Sequence, residues 1–78
     1  MKTMTCRQLG GPCDLPHRGA THDDVINAQD RHLKEAEKDG DTAHLPARKE
    51  MKGRWRHPKR SMGWYREMQA TFAALPED

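Results

Sequence analysis

Two cysteines and five histidines give this chain the sulfur and imidazole donors of metal or redox chemistry. The stretch CRQLGGPCD sets Cys6 and Cys13 seven positions apart around a glycine pair. Such a pair suits three chemistries. Thiolates bind zinc and similar ions, thiols that approach closely form a disulfide, and a thiolate with a depressed pKa is a nucleophile. Free cysteine is also among the most buried residue types and packs as a small hydrophobe. What surrounds the sulfurs therefore decides among them.

The surroundings follow from the elements. Gly10-Gly11 suits a two-residue hairpin turn, which demands positive backbone dihedrals. With the turn there, cross-strand partners sum to 21: Gln8 with Cys13, Cys6 with Leu15, Met4 with His17. Alternation puts these six on one face and Thr3, Thr5, Arg7, Asp14, Pro16 and Arg18 on the wetter one. A β-hairpin over about 2–18 is expected, both cysteines pointing inward. A two-stranded ribbon is marginal alone in water, so a helix must cover it.

That helix is expected over about 21–39. Thr21 and Asp24 make a capping box, Val25, Ile26, Gln29, His32, Leu33 and Ala36 form the inward stripe, and Gly40 suits the C-terminal cap. A second helix is read over about 42–56, with Leu45, Ala47, Met51 and Trp55 along one side and Pro46 best placed at its first position. Pro58 breaks the chain and opens a third over about 58–75, with Tyr65, Met68, Phe72 and Leu75 at helical spacing. The tail Pro76–Asp78 reads as frayed. The fold class is α+β, ββααα, in one domain over 1–78.

In this register Cys6 and Cys13 are diagonal neighbours, roughly 7–8 Å apart between Cα atoms. A disulfide usually wants about 4.4–6.8 Å. A shared ion tolerates the separation better, inserting about 2.3 Å from each sulfur. His32 lies on the covering helix, and His17 or His22 approaches from the strand end or the helix start. The topology is that of a small zinc finger, but six residues separate the cysteines instead of two to four, and no histidine follows His32 one turn on.

MKTMTCRQLGGPCD, the Thr21 helix with its RHL, GDTAHL at 40–45 and the ending ALPED resemble a family of small bacterial proteins of unknown function, often labelled predicted small metal-binding proteins. The resemblance covers most of the chain and is strongest in the first fourteen residues. It implies Cys6, Cys13 and His32 as metal ligands; zinc is an ion that such thiolate donors suit. Many members carry a further histidine about one turn later, where this chain has Ala36 and Glu37.

A second constellation is RKEMKGRWRHPKR. Arg48, Lys52, Arg54, Trp55, Arg56, Lys59 and Arg60 combine cations with an indole that can stack on an unpaired base, which suits single-stranded nucleic acid or an acidic protein partner. The same residues are accounted for by a solvated face of Arg48, Lys52 and Arg56 over an inward Met51 and Trp55. The net charge of +2 hides an acidic pole at 21–41, so self-association through opposed poles is a further option, the chain being a monomer or weak homo-oligomer.

Only 33% of residues are apolar and the mean hydropathy is -1.15. The core must be small, and a metal, disulfide or partner would add to it. No run of apolar residues suggests a secretory signal or a membrane span, so a cytoplasmic protein with no membrane association is expected. The chain holds no GxSxG, phosphate-binding glycine loop or HExxH. It reads as a binding protein, not an enzyme.

Overall fold

In the computed structural model, which describes residues Met1–Asp78 throughout, strands β1 (Lys2–Thr5) and β2 (Pro16–Gly19) pair antiparallel. Their partners are Lys2 with Gly19, Thr3 with Arg18, Met4 with His17 and Thr5 with Pro16, so every pair sums to 21 as expected. Three helices follow: α1 (His22–Lys38), α2 (Leu45–Arg56) and α3 (Pro58–Ala74). The architecture is the ββααα arrangement read from the sequence.

The connection between the strands departs from the two-residue turn. Arg7–Leu9 form a 3-10 turn, and the Cys6 carbonyl accepts from both Leu9 N (3.1 Å) and Gly11 N (2.8 Å), curling the chain back on itself. Gly10 alone of the pair has positive φ, at 98°. The physical reason is Leu9. At the tip of a tight hairpin it would stand in water, whereas the curl leaves it 1% exposed in the core, worth roughly 1.5–3 kcal/mol. The inward face is accordingly Met4, Cys6 and His17, while Gln8 and Leu15 are exposed and Cys13 is half-buried. The Cys6–Leu15 pairing survives as one bond, Cys6 N to Leu15 O at 2.9 Å.

Helix α1 is bounded as its sequence dictates. Thr21 Oγ1 accepts from Asp24 N (3.3 Å), and Asp24 Oδ2 accepts from Thr21 N (3.1 Å), closing the capping box. At the other end Gly40, at φ 80°, donates to Glu37 O, and Asp41 N donates to Ala36 O at 2.9 Å, a Schellman closure. The chain then makes a 3-10 turn over Thr42–His44, capped by Asp41 Oδ1 on Ala43 N (3.0 Å), before Pro46 settles into the first turn of α2. The expected helix over 42–56 is thus a 3-10 turn joined to an α-helix.

Two small cores result. Met4, Leu9, Val25, Ile26, Met68 and Phe72 form one; Leu33, Ala47 and Met51 form the other, and Trp64 packs against both. Leu45 and Trp55, expected on the inward side of α2, are 42% and 46% exposed. Only 16 of 78 residues are buried, which leaves little hydrophobic margin. The tail is not frayed: Asp78 N donates to Met1 O (2.8 Å), and its carboxylate takes bonds from Thr3 Oγ1 (2.7 Å) and Arg18 Nε (3.1 Å). No helix is long and apolar enough to cross a membrane.

Candidate metal centre

Four side chains from three separate parts of the chain converge beside the ribbon. Cys6 follows directly on β1 and is fully buried; Cys13 lies in the irregular stretch before β2; His32 projects from α1; His44 closes the 3-10 turn ahead of α2 and is 6% exposed. One ligand atom from each falls within 4.8 Å of all the others. Cys13 Sγ lies 3.4 Å from His32 Nε2 and 3.4 Å from His44 Nε2, and the His32 and His44 rings meet edge to face at 4.8 Å between centroids.

Those separations can be compared with a bound ion. Bonds of about 2.3 Å to sulfur and 2.0–2.1 Å to nitrogen at tetrahedral angles set neighbouring donors roughly 3.3–3.8 Å apart. The Cys13 contacts already meet this. The widest donor pair need close by only about 1 Å on the same geometry.

Outer partners hold the donors in place. Gln29, fully buried on α1, donates through Nε2 to Cys6 Sγ (3.2 Å) and to Cys6 O (3.4 Å), while its Oε1 pairs with His17 Nε2 at 2.6 Å. On the far side of His44, Asp41 Oδ2 lies 2.8 Å from Nδ1, off the axis of a straight hydrogen bond. A carboxylate there fixes the ring so that Nε2 faces the cluster. Gly11 completes the packing: a Cβ on it would lie 2.2 Å from Cys6 Sγ and 2.9 Å from Gln29 Nε2. The second glycine of the pair therefore serves close approach, not turn geometry.

The electrostatics separate the two thiols. Burial pushes the Cys6 thiol up, against the hydrogen bond from Gln29. Burial also opposes the Cys13 thiolate, but the Leu15 amide and His44 outweigh it and hold this thiol below its ordinary value. His44 is raised, first by its contact with Cys13, against burial and with Asp41 assisting. His32 is lowered by burial and by the neighbouring imidazoles of His44 and His17. Neutral imidazole and thiolate are the forms that bind metal, so the low His32 and low Cys13 values favour loading, while the raised Cys6 and His44 values oppose it.

Of the residues expected from sequence, Cys6, Cys13 and His32 come together. His17 turns to Gln29, with its ring 5.7 Å from that of His32, and His22 lies at the start of α1 beside Asp23. His44 was not foreseen. Its signal lay in GDTAHL: a helix stop at Gly40, a capping Asp41, and a histidine three positions on that the restarted chain turns back toward α1.

The basic segment divides. Arg48 pairs with Asp30 (3.7 Å) and Glu37 (3.6 Å), Lys52 with Glu37 (3.9 Å), and Arg54 with Glu50 (3.5 Å) while its guanidinium lies 3.8 Å over the Trp64 ring. Trp55 donates to Asp30 Oδ1 at 3.2 Å, its ring half exposed. Arg56, Lys59 and Arg60 enter no ion pair and, with His57 and Pro58, line a recess of about 340 Å³ at the α2–α3 corner.

Fold and cluster together define a small α+β domain with two cysteines and two histidines gathered in a geometry that can hold a metal ion. No protein-family model, curated protein or solved structure matches the chain.

Replacing Gln29 by Leu should weaken metal uptake by about 10–100-fold, the usual cost of losing an outer partner, while helix content by circular dichroism stays unchanged. Competition with a chromophoric chelator measures it.

Proposed function

We propose that this protein binds one zinc-class metal ion through Cys6, Cys13, His32 and His44, acting by binding and not by turnover. The observation that carries the reading is the mutual approach of four donors, two sulfurs and two imidazole nitrogens, within 4.8 Å of one another from three separate parts of the chain. Two sulfurs and two nitrogens within 4.8 Å of one another suit Zn²⁺ and disfavour the oxygen-seeking Mg²⁺ and Ca²⁺. Four protein donors leave no open position of the kind a catalytic zinc keeps. The resemblance to proteins labelled metal-binding points the same way, with His44 in place of the histidine that Ala36 and Glu37 displace.

Native mass spectrometry of protein purified without chelator should show one zinc-sized adduct per chain. Cobalt loading should give the intense visible bands of a tetrahedral thiolate site. His44→Ala should cost more than the about 10–100-fold typical of an outer partner. A variant that loads as well as the parent would remove His44 from the ligand set.

A second reading rests on the unpaired cations Arg56, Lys59 and Arg60 around their recess, beside the half-exposed Trp55. This is the part of the basic segment left free to meet single-stranded nucleic acid. A surface of three cations predicts a shallow salt dependence, a slope of log K against log salt near -2 at about -0.7 per phosphate. Absence of oligonucleotide binding at low salt would eliminate it.

A further inference from the structure

The two sulfurs of the centre differ sharply in access. Cys6 is fully buried and held from several sides: its N–H donates to Leu15 O, its carbonyl accepts from Leu9 and Gly11, and its Sγ accepts from Gln29. Cys13 is partly exposed, and it lies outside every helix and strand, between Pro12 and Asp14. The sulfurs are no more than 4.8 Å apart, against about 2.05 Å in a disulfide. They are also the only cysteines in the chain, and imidazoles do not undergo the same oxidation.

We propose, on the basis of the metal reading above, that the centre is redox-labile: a peroxide converts Cys13 and Cys6 into an internal disulfide and so discharges the metal. The partly exposed Cys13 thiolate attacks one peroxide oxygen, the O–O bond breaks, and hydroxide leaves, giving a sulfenic acid on Cys13. The Cys6 thiolate then attacks that sulfur. The S–S bond forms, the S–O bond breaks, and a second hydroxide leaves. The two thiolates lose two electrons, the peroxide gains them, and two solvent protons convert the hydroxides into water. His32 and His44 are then the only donors, and a zinc ion that has lost both thiolates is no longer held.

The order of events follows from the packing. Cys6 has no solvent face for a peroxide to reach, whereas Cys13 is partly exposed on a stretch of chain outside both strands. Cys13 is therefore the attacking residue and Cys6 the resolving one.

The test uses the full chain loaded with zinc and treated with a small excess of hydrogen peroxide beside a chromogenic zinc chelator. Both titratable thiols should vanish, the intact mass should fall by two hydrogen atoms, and one equivalent of zinc should appear in step. Peptide mapping should place the bond between Cys6 and Cys13, and thiol reductant with added zinc should restore the starting state. Cys13→Ser should slow oxidation at least tenfold, while Cys6→Ser should gain oxygen at Cys13. Peptide mapping of the parent needs neither variant, so a folding failure in one of them leaves the test intact. A zinc-loaded chain that keeps its thiols and its metal in peroxide overturns the inference and leaves the metal reading standing. Covalent dimers, or oxygen added to both sulfurs without a bond between them, also overturn it. A chain that never takes up zinc before peroxide is added ends both.

Discussion

On the metal-binding reading, a strong chelator should lower the thermal unfolding midpoint of this protein by about 15–30 °C. The figure follows from mass action. An ion bound with nanomolar affinity at micromolar free concentration stabilises the native state by about 4 kcal/mol, and each 1 kcal/mol moves the midpoint of a domain this size by about 4–8 °C. A core of this size rarely supplies more than about 3–5 kcal/mol unaided. Chelation should therefore leave the chain on that unaided margin, folded at room temperature but unfolding at a much lower temperature than the loaded form. Differential scanning calorimetry with and without chelator, and with zinc added back, measures the shift. An identical trace in all three conditions would sink the metal reading. Acid should act in the same direction, because protons compete with the ion for two thiolates and two imidazoles, so the shift should shrink as the pH is lowered.

The second large effect is expected from a single methyl group. Gly11→Ala places a Cβ 2.2 Å from Cys6 Sγ, 2.9 Å from Gln29 Nε2 and 3.2 Å from Cys6 O. The sulfur and the amide that positions it cannot both stay. Cys6 is anchored through its backbone, so relief requires the loop to shift, at the roughly 1–3 kcal/mol typical of overpacking. The sulfur leaves its place in the cluster, and metal affinity should fall at least tenfold. Gly53→Ala is the matching control. A Cβ there meets nothing within 4 Å, and Gly53 lies inside α2, so alanine should stabilise by about 0.5–1 kcal/mol. Urea denaturation and zinc titration of both variants decide the matter. If Gly11→Ala keeps parental stability and affinity, the close approach of Gly11 to Cys6 is not what shapes the site.

The small number of buried residues gives these expectations their size. With two cores joined through Trp64 and the ribbon leaning on α1, the cluster of Cys6, Cys13, His32 and His44 ties together the loop, α1 and the turn before α2. An ion there would cross-link three segments that are otherwise held together by two small apolar cores.

Much of this architecture was legible in local sequence, because its causes lie within a few residues of one another. The strand register follows from period-two alternation, the start of α1 from Thr21 and Asp24, its end from Gly40, and the start of α3 from Pro58. Each is a hydrogen-bonding or steric relation between near neighbours. Cys6 and His32 were legible as members of one donor cluster because register and helix stripe together aim them at one side of the ribbon, and Cys13 because it lies on the short connection between the strands. Burial across long separations decided the rest. Leu9 reached the core only by replacing a two-residue turn with a curl, and that curl left Cys6 buried and Cys13 half-exposed. His44 entered the cluster because α2 docks on α1, a contact that Leu33, Ala47 and Met51 make together and that no local pattern specifies. Arg48 and Arg54 were likewise drawn into ion pairs and against Trp64 by helix packing, since a charge finds its partner only after the helices have met.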